Sequence, residues 1–422
     1  MLAPPLVPLY VHHPQELPRA QVDEANRTLV DRARSLASEL VGLRRDLHRH
    51  PELSFQEHRT AGLVADRLEA LGLNALRGIA KTGIVADIGN GPGPVVALRA
   101  DMDALPIQEL FDHDYGSDVA GVMHACGHDF HTAGLVGAAC LLVAERDAGR
   151  LPHGTVRLLF QPSEEAIDDD GKSGATRMIE AGALDGVDVV VGLHVGGHLP
   201  RGKLFITEGS IMAGSEEIRV EVRGRSAHAA HPEQGVDALV LAAQGVLASQ
   251  QAVARAISPM DPGVVTFGTI HGGVANNVLA DSVKLHGTLR YFRDEVRDQL
   301  AGAVTQAFRG LEAQGAEVVV KIGPGYPPVV NDAEVTEVVR CAAETMIGAN
   351  AVLPMERWMA AEDFSFLARR VPGCFVWLGA ALETPHEHHH PRFDIDDSVL
   401  PTSAALMAGA ATALLEARAG GD

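Results

Sequence analysis

Positive charge is scarce in this sequence. Lysine and arginine together number 35, against 55 aspartates and glutamates, so the formal net charge is −20. Nucleic acids and anionic membranes attract positively charged surfaces, and the composition therefore argues against both as partners. The acidity does not exclude an anionic substrate, because one local arginine can reverse the potential inside a pocket.

Cysteine is also rare, and the four that occur are Cys126, Cys140, Cys341 and Cys374. Their spacing suggests no disulfide framework, which is typical of a reducing compartment. Residues 1–10 lack the basic start of a signal peptide and are interrupted by prolines. We therefore expect a cytoplasmic protein in which residues 1–23 form an extension. Cys140 and Cys374 lie in apolar stretches, so we expect buried, inert thiols there.

Long apolar runs are missing as well. Hydrophobic residues make up 46% of the chain, but no run approaches the roughly 18 residues that cross a bilayer. The sequence therefore predicts a soluble globular protein. Its 422 residues exceed what one compact core usually holds, so we expect two domains.

Apolar strands alternate with helical segments along most of the chain, which predicts an α/β fold. Strands are predicted at 83–88, 94–100, 155–161, 187–194 and 374–379, and helices at 24–49, 57–71 and 129–147. Several of these strands are continuous apolar runs, as expected for strands that are buried on both faces.

Residues 217–322 follow another pattern. A strand, a helix, two strands, a helix and a strand succeed one another, which is the ferredoxin-like β-α-β-β-α-β order. We therefore predict that a smaller lid and dimerisation domain, residues 211–322, is inserted into a catalytic domain. The catalytic domain would consist of residues 24–210 and 323–422.

The densest group of chemically active residues is the motif His124-Ala-Cys126-Gly-His128-Asp129-Phe-His131. Thiolate and imidazole are good ligands for borderline transition metals. Cys126 and His128 can converge from a turn that opens a helix, and the N-terminus of that helix would stabilise the thiolate. A packed cysteine among surface histidines is the structural alternative.

Two adjacent acids, Glu164 and Glu165, follow directly after a predicted strand. Adjacent side chains point apart, so one acid can bind a metal while its neighbour faces the substrate. A solvated loop is the alternative, because three further aspartates occupy residues 168–170.

Other polar residues occur at the ends of two more predicted strands. His194 ends one of them, and Asp101 and Asp103 end the other. A lone histidine after a strand is more often structural than a ligand. However, the carboxyl ends of buried strands form the active-site edge of open α/β sheets. The agreement of these elements with the Cys126 motif therefore predicts a metal site.

A histidine tract near the C-terminus, His386-Glu387-His388-His389-His390, adds further donors. It is either a loose metal-binding tract or a polar loop. Spacing alone does not show which of its histidines matters.

Taken together, these motifs resemble the metallo-aminoacylase and carboxypeptidase family. The resemblance is to the branch that contains hippurate hydrolases, bacterial N-acyl-amino-acid amidohydrolases and plant auxin-conjugate hydrolases. It covers about residues 35–410. The matching segments, in the family's order, are residues 44–52, 99–106, 124–131, 161–165, 192–195, 228–230, 287–290, 361–364 and 389–393.

The resemblance implies a catalytic centre with two divalent ions, for which zinc, manganese, cobalt and nickel all suit the donors. Its metal ligands would be Cys126, His128, Glu165, His194 and His389, the last selected by a His-x-Pro-x-Phe frame. Glu164 matches the general base, and Asp103 matches the acid that supports the metal site. Cys126 stands where other relatives have a bridging carboxylate.

The resemblance further implies hydrolysis of the amide bond of N-acyl amino acids by a homodimer that forms through the lid. His228, from its own or the partner subunit, would donate a hydrogen bond to the oxyanion of the tetrahedral intermediate. The structural alternative is a histidine that only stabilises a turn. Asn277 and Arg290 would hold the substrate carboxylate.

Three rival functions remain open. They are a dipeptidase or carboxypeptidase with the same metals, a non-catalytic binding protein, and metal storage by the histidine tract. Glu164 argues against mere binding, because a binding protein has no need of a general base.

Overall fold

The structure is a computed structural model that describes residues 29–110 and 113–419. The predicted extension, residues 1–23, lies outside the described residues. The strands in chain order are β1 (Leu76–Ile79), β2 (Gly83–Gly89), β3 (Val95–Asp101), β4 (Thr155–Gln161), β5 (Val189–Gly196), β6 (Leu204–Phe205), β7 (Gly209–Met212), β8 (Gly214–Arg223), β9 (Gly263–Gly272), β10 (Ser282–Tyr291), β11 (Glu317–Tyr326), β12 (Val329–Asn331), β13 (Val352–Leu353) and β14 (Gly373–Gly379).

The longer helices position the catalytic segments and cover the sheets. In chain order they are α1 (Ala37–Arg49), α2 (His58–Ala70), α3 (His128–Asp147), α4 (Gly174–Glu180), α5 (Ala238–Ala256), α6 (Asp294–Arg309), α7 (Ala333–Ile347), α8 (Phe364–Arg370) and α9 (Leu400–Ala419).

Eight strands form one mixed sheet in the order β1-β2-β4-β3-β5-β14-β6-β13. Strands β4, β3, β5 and β14 are parallel neighbours, so their carboxyl ends meet at one edge. These four strands and β2 confirm all five strands predicted from apolar runs. The predicted α/β fold class is thereby confirmed.

Helix α9 requires a correction. The segment Asp397–Ala419 is long and apolar enough to cross a membrane by length and composition, so the expectation that no apolar run approaches this length is wrong. However, 78% of its apolar window is buried inside the protein. The helix packs against α3 and contributes to the main hydrophobic core, which is the behaviour of a core helix.

A second sheet has four antiparallel strands in the order β11-β8-β10-β9. Numbered along the chain, this order is 4-1-3-2, and α5 and α6 pack against it around a separate core. The arrangement is that of a ferredoxin-like unit. Its strands run from β8 to the end of β11, while the domain boundaries at residues 211 and 322 remain a prediction.

All four cysteines lie within the described ranges and are unpaired there. Cys374 is buried, as expected, whereas Cys140 is only half-buried.

Candidate metal centre

The loop before α3 turns sharply at Gly127. Its φ of 90° lies in the left-handed region, and a Cβ at this position would lie only 2.4 Å from Val195 Cγ1. Glycine is therefore required for both reasons. The turn places Cys126 directly before the helix and His128 at its start, at the carboxyl edge of the sheet.

Two groups of donor atoms share the Cys126 thiol. The donors of Cys126, His128 and His194 lie within 4.8 Å of one another, and so do those of Cys126, Glu165 and His389. Cys126 Sγ lies 3.5 Å from His194 Nε2, and His389 Nε2 lies 3.0 Å from Glu165 Oε1. The fold therefore brings together all five residues that the sequence analysis named as ligands.

Both histidines of the first group present Nε2 to the shared thiol. His128 Nδ1 lies 2.8 Å from the backbone oxygen of Asp103, and His194 Nδ1 lies 2.8 Å from that of Val195. A carbonyl oxygen only accepts, so each contact places a proton on Nδ1 and leaves Nε2 as the nitrogen that can bind a metal. Metal-binding histidines are oriented in this way. The buried His128 Nε2 has no hydrogen-bond partner among the described residues.

The ring of His194 is held in place by Trp377, which sequence reasoning missed. Their ring centroids are 4.3 Å apart and the planes are 22° from parallel. The two residues are register partners on β5 and β14. This pairing joins segments far apart in the sequence, so only knowledge of strand register would have revealed it.

Asp103 connects several parts of the site. Its carboxylate accepts the backbone N–H groups of Glu164 and Glu165 at 3.1 Å each and the Ser54 hydroxyl at 2.6 Å. Burial alone would raise the pKa of Asp103, but the hydrogen bonds from His128 and Ser54 lower it below the usual value. We infer that Asp103 is an ionised positioning group.

Glu164 follows a residue with an unfavourable backbone conformation, since Ser163 has a φ of 49°. Its side chain is buried, and its Oε1 accepts the backbone N–H of Asp363 at 3.3 Å. Burial raises the pKa of Glu164 well above the usual value, and the charges of Glu362 and Glu165 raise it further. A carboxylate with a raised pKa is a more effective proton acceptor.

The thiol of Cys126 is buried and lies near carboxylates. Burial raises its pKa well above the usual value, and the charges of Glu165 and Glu164 raise it further. Burial and these carboxylates oppose the stabilisation of the thiolate by the helix N-terminus, which stays a prediction. A divalent cation supplies the positive charge that such a thiolate requires.

A buried acidic network lies behind the site. The Arg99 guanidinium contacts Asp101 at 2.6 Å and both Glu362 and Asp363 at 2.9 Å. One arginine thus faces three carboxylates, with Glu164 close by. Buried charges are costly unless they are paired, so bound cations fit the remaining negative charge. The sequence analysis placed Asp101 at this edge but assigned no role to the other three network residues.

A cavity of about 800 Å³ opens over the shared thiol. Cys126, Glu164 and Arg290 from β10 all line this cavity. Arg290 Nη1 donates to the backbone oxygen of Met359 at 3.0 Å. Within the part of the chain that the structure describes, no carboxylate forms an ion pair with Arg290, so its charge is available to a ligand.

His228 and Asn277 lie outside this cavity. Both are exposed, and neither lines the cavity of its own chain. His228 Nδ1 accepts the backbone N–H of Ala230 at 3.0 Å, which is the contact expected of a turn histidine. The single chain therefore does not bring these two predicted site residues to the ligand groups.

Two ligand groups that share one thiol, beside a buried carboxylate on an α/β sheet, define the class of metal-dependent hydrolases. Residues 97–413 match peptidase family M20/M25/M40, and the chain belongs to this family. The resemblance that was inferred from the motifs is thereby confirmed.

Individual relatives agree with this assignment. N-acetyl-L-cysteine deacetylase of Bacillus subtilis (strain 168) is 40% identical over 386 residues, which cover 90% of this chain and 89% of the relative. Thermostable carboxypeptidase 2 of Saccharolobus solfataricus is 38% identical over 87% of this chain and 93% of its own length. The crystal structure of the YxeP protein of Bacillus subtilis, a dinuclear metal-binding peptidase of the M20 family, superposes with a TM-score of 0.78 at 34% identity and covers 90% of this chain and 99% of its own. The chain is a metal-dependent amidohydrolase.

Proposed function

We propose that this protein hydrolyses the amide bond of N-acyl amino acids. One observation carries the proposal: the buried Glu164, the unpaired Arg290 and the shared Cys126 line the same cavity. A substrate whose carboxylate binds the guanidinium would direct its amide towards Glu164. Arginine suits this role because its planar fork matches a carboxylate.

Five side chains would hold two divalent ions. One ion would lie between Cys126, His128 and His194, and the other between Cys126, Glu165 and His389. When bound, such ions lower the pKa of a water molecule and polarise the acyl oxygen. Zinc, manganese, cobalt and nickel all remain candidates, because thiolate, imidazole and carboxylate donors suit each of them.

Glu164 would act as the general base. It would accept a proton from the attacking water and later deliver it to the leaving amine, a contribution of about a hundred- to ten-thousand-fold. Two contacts keep its segment in place: Tyr326 donates its hydroxyl to the Glu164 backbone oxygen at 2.7 Å, and Asp363 N–H donates to Glu164 Oε1.

The cavity wall supports an acyl substrate over a free dipeptide. Its apolar and aromatic lining includes Trp358, Trp377 and Met212. The ammonium group of a dipeptide would need a free carboxylate. Glu216 and Glu217 line the cavity but form ion pairs with Arg297 and Arg219 respectively. The other lining carboxylates are the proposed base, the proposed metal ligand Glu165, and Glu362, which pairs with Arg99. An uncharged acyl group fits this wall better.

A dipeptidase or carboxypeptidase activity is the second candidate, and one comparison separates the two. The protein is reconstituted with zinc, manganese, cobalt or nickel in separate samples, and a chelated sample is the control. Each sample receives matched pairs of substrates that share one C-terminal amino acid, one N-acetylated and one a free glycyl dipeptide. We expect faster hydrolysis of the acetylated member. Faster hydrolysis of the dipeptides would favour the peptidase, and no hydrolysis of either would contradict both functions.

We also propose a homodimer through the unit that contains β8 to β11. Strand β9 is an edge of its sheet, and Val264, Ile270 and Leu247 are exposed apolar residues on this unit. An unpaired edge strand is a template for pairing with another chain. His228 and Asn277 belong to the same unit, so a partner subunit would be able to supply them to the cavity. The cytoplasmic location remains a prediction.

A further inference from the structure

The histidine tract supplies more donors than the proposed two-metal centre uses. His389 faces Glu165, whereas its neighbour His388 faces His198 and the Glu387 carboxylate. The donor atoms of His198, Glu387 and His388 lie within 4.8 Å of one another. We propose that these three residues form a third metal site, for one transition-metal ion, at the rim of the cavity.

The ring of His388 is oriented by a backbone carbonyl. Its Nε2 lies 3.0 Å from the backbone oxygen of Val195, so Nε2 carries the proton and Nδ1 keeps its lone pair. That Nδ1 is buried and has no hydrogen-bond partner in the described ranges. A backbone carbonyl that holds the other ring nitrogen is the usual support of a metal-binding histidine.

His198 supplies a second ring nitrogen without a hydrogen-bond partner among the described residues. Its Nδ1 is also buried without a hydrogen-bond partner in the part of the chain described, and it lies 3.7 Å from Glu387 Oε2. Two ligands of a tetrahedral zinc ion, bound at about 2.0–2.1 Å, are separated by about 3.4 Å. The 3.7 Å between His198 Nδ1 and Glu387 Oε2 is close to this separation, and the exposed Glu387 side chain has room to adjust.

The backbone explains why neighbouring histidines serve different groups. His389 has a φ of 64°, a left-handed conformation that is uncommon for a residue other than glycine. A second feature is Gly197, where a Cβ would lie 2.8 Å from the Phe393 ring. This glycine lets the tract lie against the segment that follows β5, next to His198.

The donor set determines what the site would bind. Two imidazoles and a carboxylate suit zinc, cobalt or nickel, and three protein ligands leave one position for water. Because Glu387 is exposed, we expect weaker binding here than at the centre around Cys126. The absence of sulfur from this triad gives it a separate spectroscopic signature, since cobalt in the triad would produce no thiolate-to-cobalt band.

The test counts bound cobalt ions by equilibrium dialysis with Co²⁺ alone. His198→Asn should bind one ion fewer than the wild type, and its thiolate-to-cobalt band should be unchanged. Glu387→Gln should raise the dissociation constant of the last ion by at least about tenfold, since loss of even a supporting group costs that much. His390→Asn is the matched control from the same tract, because His390 stacks on His386 instead, and it should bind as many ions as the wild type.

The test compares the number of bound cobalt ions between the wild type and each variant. The difference does not depend on how many ions bind around Cys126, so the third site is tested independently of the proposed function. Equal numbers of ions in the wild type, His198→Asn and Glu387→Gln would overturn the third site. Loss of an ion from His390→Asn would assign the binding to the histidine tract in general, and this result would also overturn the third site. Loss of the thiolate-to-cobalt band in both His198→Asn and Glu387→Gln would place the affected ion at Cys126. This result would overturn the third site as well.

Discussion

Asp103 Oδ1 lies 3.1 Å from His128 Nδ1, and both side chains are fully buried. The same carboxylate accepts the backbone N–H groups of Glu164 and Glu165. One side chain therefore orients a proposed metal ligand and also positions the loop that carries the proposed base. We expect changes at Asp103 to affect metal affinity and turnover together.

The substitution Asp103→Asn tests this link. An amide places a donor where the carboxylate accepts N–H groups, so His128 and the Glu164 loop lose part of their support. We expect the metal dissociation constants to rise by about 10- to 100-fold, as for other supporting groups. Chelator competition measures this change, and the exposed Asp66→Asn is the control. Unchanged affinity in Asp103→Asn would show that the contact is not needed to orient His128.

The substitution Glu164→Gln tests the general base. The amide preserves the size of the side chain but cannot take a proton from water. We expect normal metal content with kcat lowered by at least about a hundredfold. The adjacent Glu165→Gln is the matched variant, and it should lose metal instead. A fall in kcat of less than about tenfold for Glu164→Gln would make the assignment wrong.

Much of this site could be predicted because its residues follow elements that are visible in the sequence. Continuous apolar runs identify buried parallel strands, and the carboxyl ends of such strands meet at one edge. Glu164, His194 and Asp103 could therefore be placed near one another without a structure. The Cys126 turn could be placed there too, because the glycine that follows it opens a helix.

Other features depend on contacts that local patterns do not encode. The stacking of Trp377 on His194 requires the register between β5 and β14. The pairing of Arg99 with Glu362 joins residues that are 263 positions apart. The pKa of Cys126 depends on burial and on carboxylates from another loop, and neither is visible in the local sequence around the helix N-terminus.

Arg290→Gln tests how the substrate carboxylate is held. The variant removes the unpaired positive charge of the cavity, and a hydrogen bond to a charged group is worth about 1.5–3 kcal/mol. We expect kcat/KM for an N-acetyl amino acid to fall by about 10- to 100-fold. For the same compound with its carboxylate converted to an amide, kcat/KM should change little. An equal fall for both compounds would show that Arg290 acts on the fold and not on the carboxylate.

His124 should make the stability of the protein depend on pH. Burial lowers its pKa to about 4, whereas a histidine in an unfolded chain has a pKa of about 6.5. As the pH falls through this window, the unfolded chain binds a proton that the folded chain does not, so the free energy of unfolding decreases. Between pH 7 and pH 4, His124 should lower the free energy of unfolding by roughly 3 kcal/mol.

The variant His124→Asn should remove this contribution. Urea denaturation at several pH values between 4 and 7, with a chelator in every sample, measures the free energy of unfolding. The change of this free energy with pH is then compared between His124→Asn and the wild type. The chelator keeps metal loss at acidic pH from entering the comparison. If both proteins lose the same stability over this range, the buried neutral histidine is not the cause.

His228 is exposed and does not line the cavity of its own chain. If a partner subunit supplies it to the cavity, His228→Ala should lower turnover strongly without changing metal content, since an oxyanion donor is worth about a hundred- to a thousandfold. Its contact with Ala230 gives the competing expectation, in which the variant melts at a lower temperature but retains near-normal turnover.

Mixing two inactive variants separates action across subunits from action within one. After dissociation and reassociation of equal amounts of His228→Ala and Glu164→Gln, half of the dimers are mixed. Each mixed dimer has one site with an intact Glu164 from one chain and an intact His228 from the other, so activity should recover to about a quarter of the wild-type value. No recovery, although mixed dimers have formed, would place His228 in the site of its own chain. Near-normal turnover of His228→Ala alone would eliminate the catalytic role.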